Sequence, residues 1–178
     1  MNTNHSSNDT KLKPIIVISV VASLLLSGTA FSFDGDFLTP WTESGDSVVP
    51  AMCPDDTVAG LMQCSGPYCE TLRMKCFAIS NEMWDYTWNS YFSEEQGTSY
   101  CPGGAYVTGL DCAGSHCDNK SLQCTDVVGA GNYNCEWVGP FSEESPNYKS
   151  CSGAHMISGL RCSGSYCDNL YIECCSIW

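Results

Sequence analysis

Glu70, Asp118 and Asp168 each directly follow a cysteine, and Tyr68, His116 and Tyr166 each directly precede the same one. Asn119 and Asn169 stand beside two of the acids. An aromatic ring with a carboxylate and an amide is a sugar-binding set: the ring stacks, and the acid and amide hydrogen-bond hydroxyls. Carboxylates also coordinate calcium. For the acids and amides alone the plainer reading is favoured, in which Asp-Asn after a turn supplies turn geometry and caps backbone donors. The rings are different, because a four-residue interval between cysteines is a poor place for a core side chain, and Tyr68, His116 and Tyr166 are the preferred ligand surface. Glu43, Glu94 and Glu143 form a second recurring set. A glycosidase needs two carboxyl groups about 5 to 10 Å apart, whereas the neighbours Glu94-Glu95 and Glu143-Glu144 would point to opposite faces of a strand, so these read as solvating glutamates. No G-x-S-x-G, H-E-x-x-H or phosphate-cradling glycine loop is present, so no catalytic residue is assigned and a binding role is favoured over an enzyme.

What must hold these residues is a cysteine framework. Cys53, Cys64, Cys69 and Cys76 are 11, 5 and 7 residues apart, as are Cys101, Cys112, Cys117 and Cys124, and again Cys151, Cys162, Cys167 and Cys174. The blocks start 48 and then 50 residues apart, the period of an internal repeat. The most economical pairing, which leans on this symmetry, joins first to fourth and second to third: 53-76, 64-69, 101-124, 112-117, 151-174 and 162-167. Cys135 and Cys175 remain to pair with each other. Sequence alone leaves connectivity open. Zinc is the competing reading of clustered cysteines, but C-x4-C lacks a second ligand pair, and His116 and His155 occupy non-equivalent positions; neither metal nor cofactor is expected.

Aligned without gaps, the blocks share Gly66, Gly114 and Gly164 as well as the acids. An aromatic pair precedes each: Phe37 and Trp41, Trp88 and Phe92, Trp137 and Phe141. Recurring once per repeat, these aromatics are expected in the core. Trp84, Tyr86 and Tyr91 do not recur and are candidates for an asymmetric groove. Tyr106 to Leu110 and Met156 to Leu160 read as strands ending near a glycine, and Leu170 to Cys174 alternates at period two. No stretch after residue 32 sustains helical spacing over eleven residues without glycine or proline. The fold class expected is all-β, one domain over residues 33 to 178, with repeats at about 33-80, 81-130 and 131-178.

Residues 1 to 32 read as a secretory signal peptide: a polar start ending in Lys11 and Lys13, the apolar run Pro14 to Leu26, then small residues with cleavage after Ala30 or Ser32. A thirteen-residue run rises about 20 Å as a helix, short of a hydrocarbon core of about 30 Å, so no transmembrane segment is expected after cleavage. The chain carries 20 acidic and 7 basic residues, net -13. Without residues 1 to 32, which hold Asp9, Lys11 and Lys13, the net charge is -14. Such a charge repels phosphate backbones and excludes nucleic acid as a partner. An even cysteine count suits an oxidising compartment, extracellular or periplasmic.

The run from Trp88 to Cys124 combines an aromatic pair, a serine, Cys101-Pro102-Gly103-Gly104-Ala105-Tyr106-Val107-Thr108-Gly109 and a later Asp118-Asn119 before an apolar strand ending in cysteine. With its threefold recurrence and the Cys174-Cys175 pair, it resembles the vitelline membrane outer layer protein I family over residues 33 to 178. The resemblance implies three four-stranded Greek-key sheets around a pseudo-threefold axis, a β-prism similar to that of carbohydrate-binding lectins. It also implies an extracellular coat or weak chito-oligosaccharide processing as alternatives to glycan binding. Glycans or matrix components are the expected partners. This chain differs from the family where a longer segment is replaced by the short turn with its extra cysteine pair.

Overall fold

The computed structural model describes residues 41–45, 49–144 and 148–178, and the signal-peptide expectation and Phe37 lie outside them. The described residues form an all-β structure of twelve strands: β1 (Thr42–Gly45), β2 (Ala51–Met52), β3 (Thr57–Ser65), β4 (Thr71–Ala78), β5 (Met83–Trp88), β6 (Thr98–Tyr100), β7 (Ala105–Ala113), β8 (Asn119–Val127), β9 (Tyr133–Phe141), β10 (Lys149–Ser150), β11 (His155–Ser163) and β12 (Asn169–Ser176). They make three antiparallel four-stranded sheets, ordered β1-β4-β3-β10, β2-β7-β8-β5 and β6-β11-β12-β9. Each is centred on the hairpin of one repeat, β3-β4, β7-β8 or β11-β12, flanked by that repeat's aromatic strand and one short strand. This is the three-repeat β-prism with pseudo-threefold symmetry.

The sheets are not self-contained repeats. The short strand ahead of each block's first cysteine joins the next sheet: β2 pairs with β7, β6 with β11, and β10 with β3. The exchange runs from first to second to third and back to first, so each sheet is complete only with a segment from another repeat. A β-bulge prepares each junction. The register of the hairpin shifts between Ala59 and Leu61, Val107 and Gly109, and Ile157 and Gly159, so Gly60, Thr108 and Ser158 are the extra residues. Their carbonyls accept bonds from the first cysteines of the blocks: Cys53 N–H to Thr108 at 2.8 Å, Cys101 to Ser158 at 2.7 Å, and Cys151 to Gly60 at 2.9 Å. The strands therefore run through Gly109 and Gly159 to Ala113 and Ser163 rather than ending there.

Alternation on the hairpins selects the core. Leu72, Met74 and Cys76 on β4 are buried while their neighbours are partly exposed, and Leu170, Ile172 and Cys174 repeat the pattern on β12. With Met62, Leu110, Leu122 and Leu160 they form one apolar cluster shared by all three repeats, each large side chain contributing about 1.5–3 kcal/mol. A second cluster, around Val58, Tyr106 and Met156 at the strand starts, closes the end away from the hairpin turns. There the buried Tyr106 hydroxyl lies between the carbonyl oxygens of Ser176 at 2.7 Å and Gly131 at 2.9 Å, which share its one proton.

All seven disulfides have the pairing expected from the repeat: 53-76, 101-124 and 151-174, the tight 64-69, 112-117 and 162-167, and 135-175. No cysteine is free. The zinc reading fails on this point, because a disulfide sulfur is not a thiolate ligand; the grouping of Cys135, Cys175 and Glu173 has both sulfurs bonded to each other. Among the described residues no helix is long and apolar enough to cross a membrane.

Candidate functional site

The three hairpins end in the same turn. Pro67–Cys69, Ser115–Cys117 and Ser165–Cys167 are single 3-10 turns, entered through Gly66, Gly114 and Gly164 at φ 76°, 78° and 79°. Glycine is required there twice over, since φ is positive and a Cβ at Gly114 or Gly164 would overlap Oδ1 of Asp118 or Asp168. The next two residues that depart from ordinary geometry are not glycine: Tyr68 and Cys69, His116 and Cys117, Tyr166 and Cys167 all have φ between 54° and 57°. Left-handed backbone costs about 1–2 kcal/mol per non-glycine residue. The strain recurs in every tip, where the cysteine staple joins the two strand ends.

The three rings meet. Tyr68 lies 5.1 Å from His116 and 5.2 Å from Tyr166, and His116 lies 5.5 Å from Tyr166, centroid to centroid, with interplanar angles of 55°, 60° and 69°. Residues 48 and 50 apart in sequence thus form a single crown on the axis, not three separate sites. It remains accessible, with Tyr68 38% and Tyr166 42% exposed. Beneath it the disulfide sulfurs are buried and touch neighbouring tips: Cys69 Sγ lies 3.4 Å from the Asp168 carbonyl oxygen, and Cys167 Sγ 3.4 Å from that of Asp118.

The acids and amides sit two and three positions beyond each ring. Asn119 Nδ2 donates to Asp118 Oδ1 at 2.7 Å, and Asn169 Nδ2 to Asp168 Oδ1 at 2.7 Å. These bonds join side chain to side chain, and the glycine that enters each turn has no side-chain cap, so they are not the capping of backbone donors expected from sequence. The first repeat has Thr71 in place of asparagine, and there Glu70 reaches across to the next tip, its Oε2 lying 3.5 Å from His116 Nδ1.

One residue of this end was not singled out from sequence. Lys120 occupies the position of Leu72 and Leu170, is fully buried, and donates from Nζ to the carbonyl of Cys117, directly beside His116. Its signal was available: a lysine in the column where both other repeats carry leucine. Glu94, read as a solvating glutamate, is exposed but places Oε2 3.9 Å from Cys167 Sγ at the foot of the third tip.

Two expectations about the aromatics are corrected. Phe92 and Phe141 are buried, but Trp41 and Trp88 are 37% and 39% exposed and Trp137 is partly exposed. The tryptophans lie on the outer faces, Trp41 under the Lys75 ammonium at 5.2 Å and Trp137 under Arg161 at 5.0 Å. The first repeat is also displaced by four positions. Trp88 pairs with Gln123 and Trp137 with Glu173; Thr42 pairs with Met74, which puts Trp41 beside Lys75, the residue equivalent to Gln123 and Glu173. Trp41 therefore matches Trp88 and Trp137, and buried Ser44, opposite Leu72, stands where Phe92 and Phe141 stand. Glu43 accordingly has no symmetric relation to Glu94 and Glu143; it faces Arg73, with Oε2 2.8 Å from Nε.

Trp84 does line an open groove of about 350 Å³ with Gly103, Gly104, Asp126, Val128 and Ala130, among others, but Tyr86 and Tyr91 are not part of it. Tyr91 instead donates its hydroxyl to Asp111; that bond, with burial and the carboxylate charge behind it, holds the phenol above its ordinary value. Comparison with family models, with curated proteins and with solved structures returns no match.

Proposed function

We propose that the chain is a secreted glycan-binding protein, lectin-like and related to the vitelline membrane outer layer protein I family, whose binding surface is the crown of Tyr68, His116 and Tyr166. The observation that carries this reading is the convergence of three half-exposed rings, each carried on a strained turn, at one end of a disulfide-stapled prism. Strained backbone that recurs in every tip points toward function, and aromatic faces with Glu70, Asp118, Asp168, Asn119 and Asn169 beside them offer the stacking and hydrogen-bonding groups that sugars use. A single axial crown binds one ligand end per molecule, in contrast to the three equivalent sites that repetition alone suggests.

The test is a broad glycan array probed with the oxidised protein and with its Tyr166→Ala/Asp168→Ala variant. Binding that the variant loses supports the crown; no binding to any glycan rejects it. A structural coat role is favoured by one separate observation, the exposure of Trp84 and Tyr86 on the edge strand β5 at 56% and 51%. A coat protein self-associates through such a strand and shows no discrete ligand.

A further inference from the structure

Resting on the glycan-binding reading, we propose that the crown selects ligands carrying an ammonium group, so that its preferred glycans are those whose sugars bear free amines. The shape of the crown is the first reason. A neutral pyranose stacks best on one flat ring, but these rings are inclined to one another by 55° to 69° and share no plane. Three mutually inclined rings whose centroids lie 5.1–5.5 Å apart suit a small, compact head group that reaches all of them. A cation centred over a triangle of this size lies within roughly 6 Å of every centroid, the range of cation–π attraction.

Charge is the second reason. Each ring is followed two residues later by a carboxylate, Glu70, Asp118 or Asp168, and two residues span no more than about 7 Å, inside a Debye length of about 8–10 Å. The basic side chains near this end are directed elsewhere: Lys120 is buried and turned to the Cys117 carbonyl, Arg73 meets Glu43 at 2.8 Å, and Arg161 lies over Tyr171 at 4.2 Å. The whole chain adds its net charge of -13, which raises the encounter rate of cationic ligands and repels anionic ones. Phenol and imidazole rings with carboxylates behind them therefore make a receptor for positive charge.

The experiment compares a tetramer of β-1,4-linked glucosamine with the matching tetramer of glucose, which differs in having hydroxyls for amines, and with tetramethylammonium alone. Binding is read by titration calorimetry and by ring-proton shifts of Tyr68, His116 and Tyr166 in the oxidised full chain. The amine tetramer is expected to bind roughly tenfold more tightly than the neutral one at low salt, a preference that shrinks as salt rises. Asp118→Asn/Asp168→Asn keeps an oxygen to accept from Asn119 and Asn169, so it folds normally and brings the preference to within about twofold. His116→Lys puts a cation into the ring and abolishes amine binding. Equal binding of the two tetramers, lost in Tyr166→Ala, overturns the ammonium preference and leaves the glycan reading standing. Binding of tetramethylammonium with neither tetramer supports the cation site and overturns the glycan reading. Binding of none of the three overturns both.

Discussion

At the scale of single residues the chain departs from its own symmetry at a few positions, and each departure has a measurable consequence. Lys120 replaces a leucine and spends a buried amine on the Cys117 carbonyl. Lys120→Met keeps the apolar stem and removes the donor, leaving the Cys117 carbonyl without it, so it is expected to cost about 1–3 kcal/mol and to broaden the His116 ring signals; a chemical denaturation curve and an NMR spectrum check both. Tyr106 replaces the smaller Val58 and Met156 and buries its hydroxyl between two carbonyls. Burial first, and the neighbouring Tyr133 second, hold that phenol well above its ordinary value. The unfolded chain gives up this proton near pH 10 while the folded chain keeps it, so the unfolded state binds fewer protons above that pH. Stability then falls by about 1.4 kcal/mol per pH unit above pH 10 until the folded phenol ionises. Tyr106→Phe is expected to flatten that slope, seen as urea midpoints that converge with wild type between pH 9 and 11. The glycines of the tips are equally specific: Gly114→Ala meets a positive φ, the Asp118 carboxylate and the Asn119 amide, and should lose about 1–2 kcal/mol from backbone strain, part of the total being recovered in Gly114→Ala/Asp118→Ala because the closest overlap is then gone.

At the scale of elements the two kinds of staple do different work. The 23-residue spans 53-76, 101-124 and 151-174 tie a strand start to its hairpin partner, and the five-residue spans clamp a turn. In the chain-entropy model the former contribute roughly 3 kcal/mol each and the latter roughly 2. Removing 101-124 as a Cys→Ser pair should therefore lower stability more, while removing 112-117 should weaken ligand binding more, since only the small loop holds His116 in its left-handed turn. Thermal unfolding and the glycan titration, run on both double variants, separate the effects. The hairpins, their turns and the six pairings within the blocks were legible in the spacing because all are local, and the 135-175 pair followed as the remainder. The bulges were not: Gly109 and Gly159 look like strand ends, and the register shift across the hairpin, with the carbonyl bond to a cysteine from another repeat, reveals that Thr108 and Ser158 are the displaced residues. The first aromatic pair was misaligned because Trp41 and Phe37 each match an aromatic four positions along, and the deciding partner, Lys75, lies on a different strand.

At the scale of the molecule, threefold repetition made a three-sheet prism legible, but not that the tips would meet, because no spacing along the chain encodes an approach across an axis. A cyclic exchange of strands and two contacts between tips create that approach. Each sheet borrows its short strand from another repeat, and the buried sulfurs at the tips touch the carbonyls of neighbouring turns. A ring of borrowed strands has no independent member: an isolated second repeat would lack β2 on one side and leave β6 without a sheet, with the apolar faces of Leu110 and Leu122 exposed. A fragment of residues 81 to 130, oxidised or reduced, is accordingly expected to show no cooperative melt. The full protein should unfold in one transition, because breaking any sheet removes the acceptor of the preceding repeat's cysteine N–H. Trp88 and Trp137 sit on the second and third sheets, so variants in which one of them is the sole tryptophan report on separate sheets. Denaturation followed by fluorescence should give stabilities that agree between the two reporters to about 0.5 kcal/mol once each substitution is corrected for. Two separated midpoints would mean that the sheets melt singly, and a crown assembled from three tips would then open by losing one.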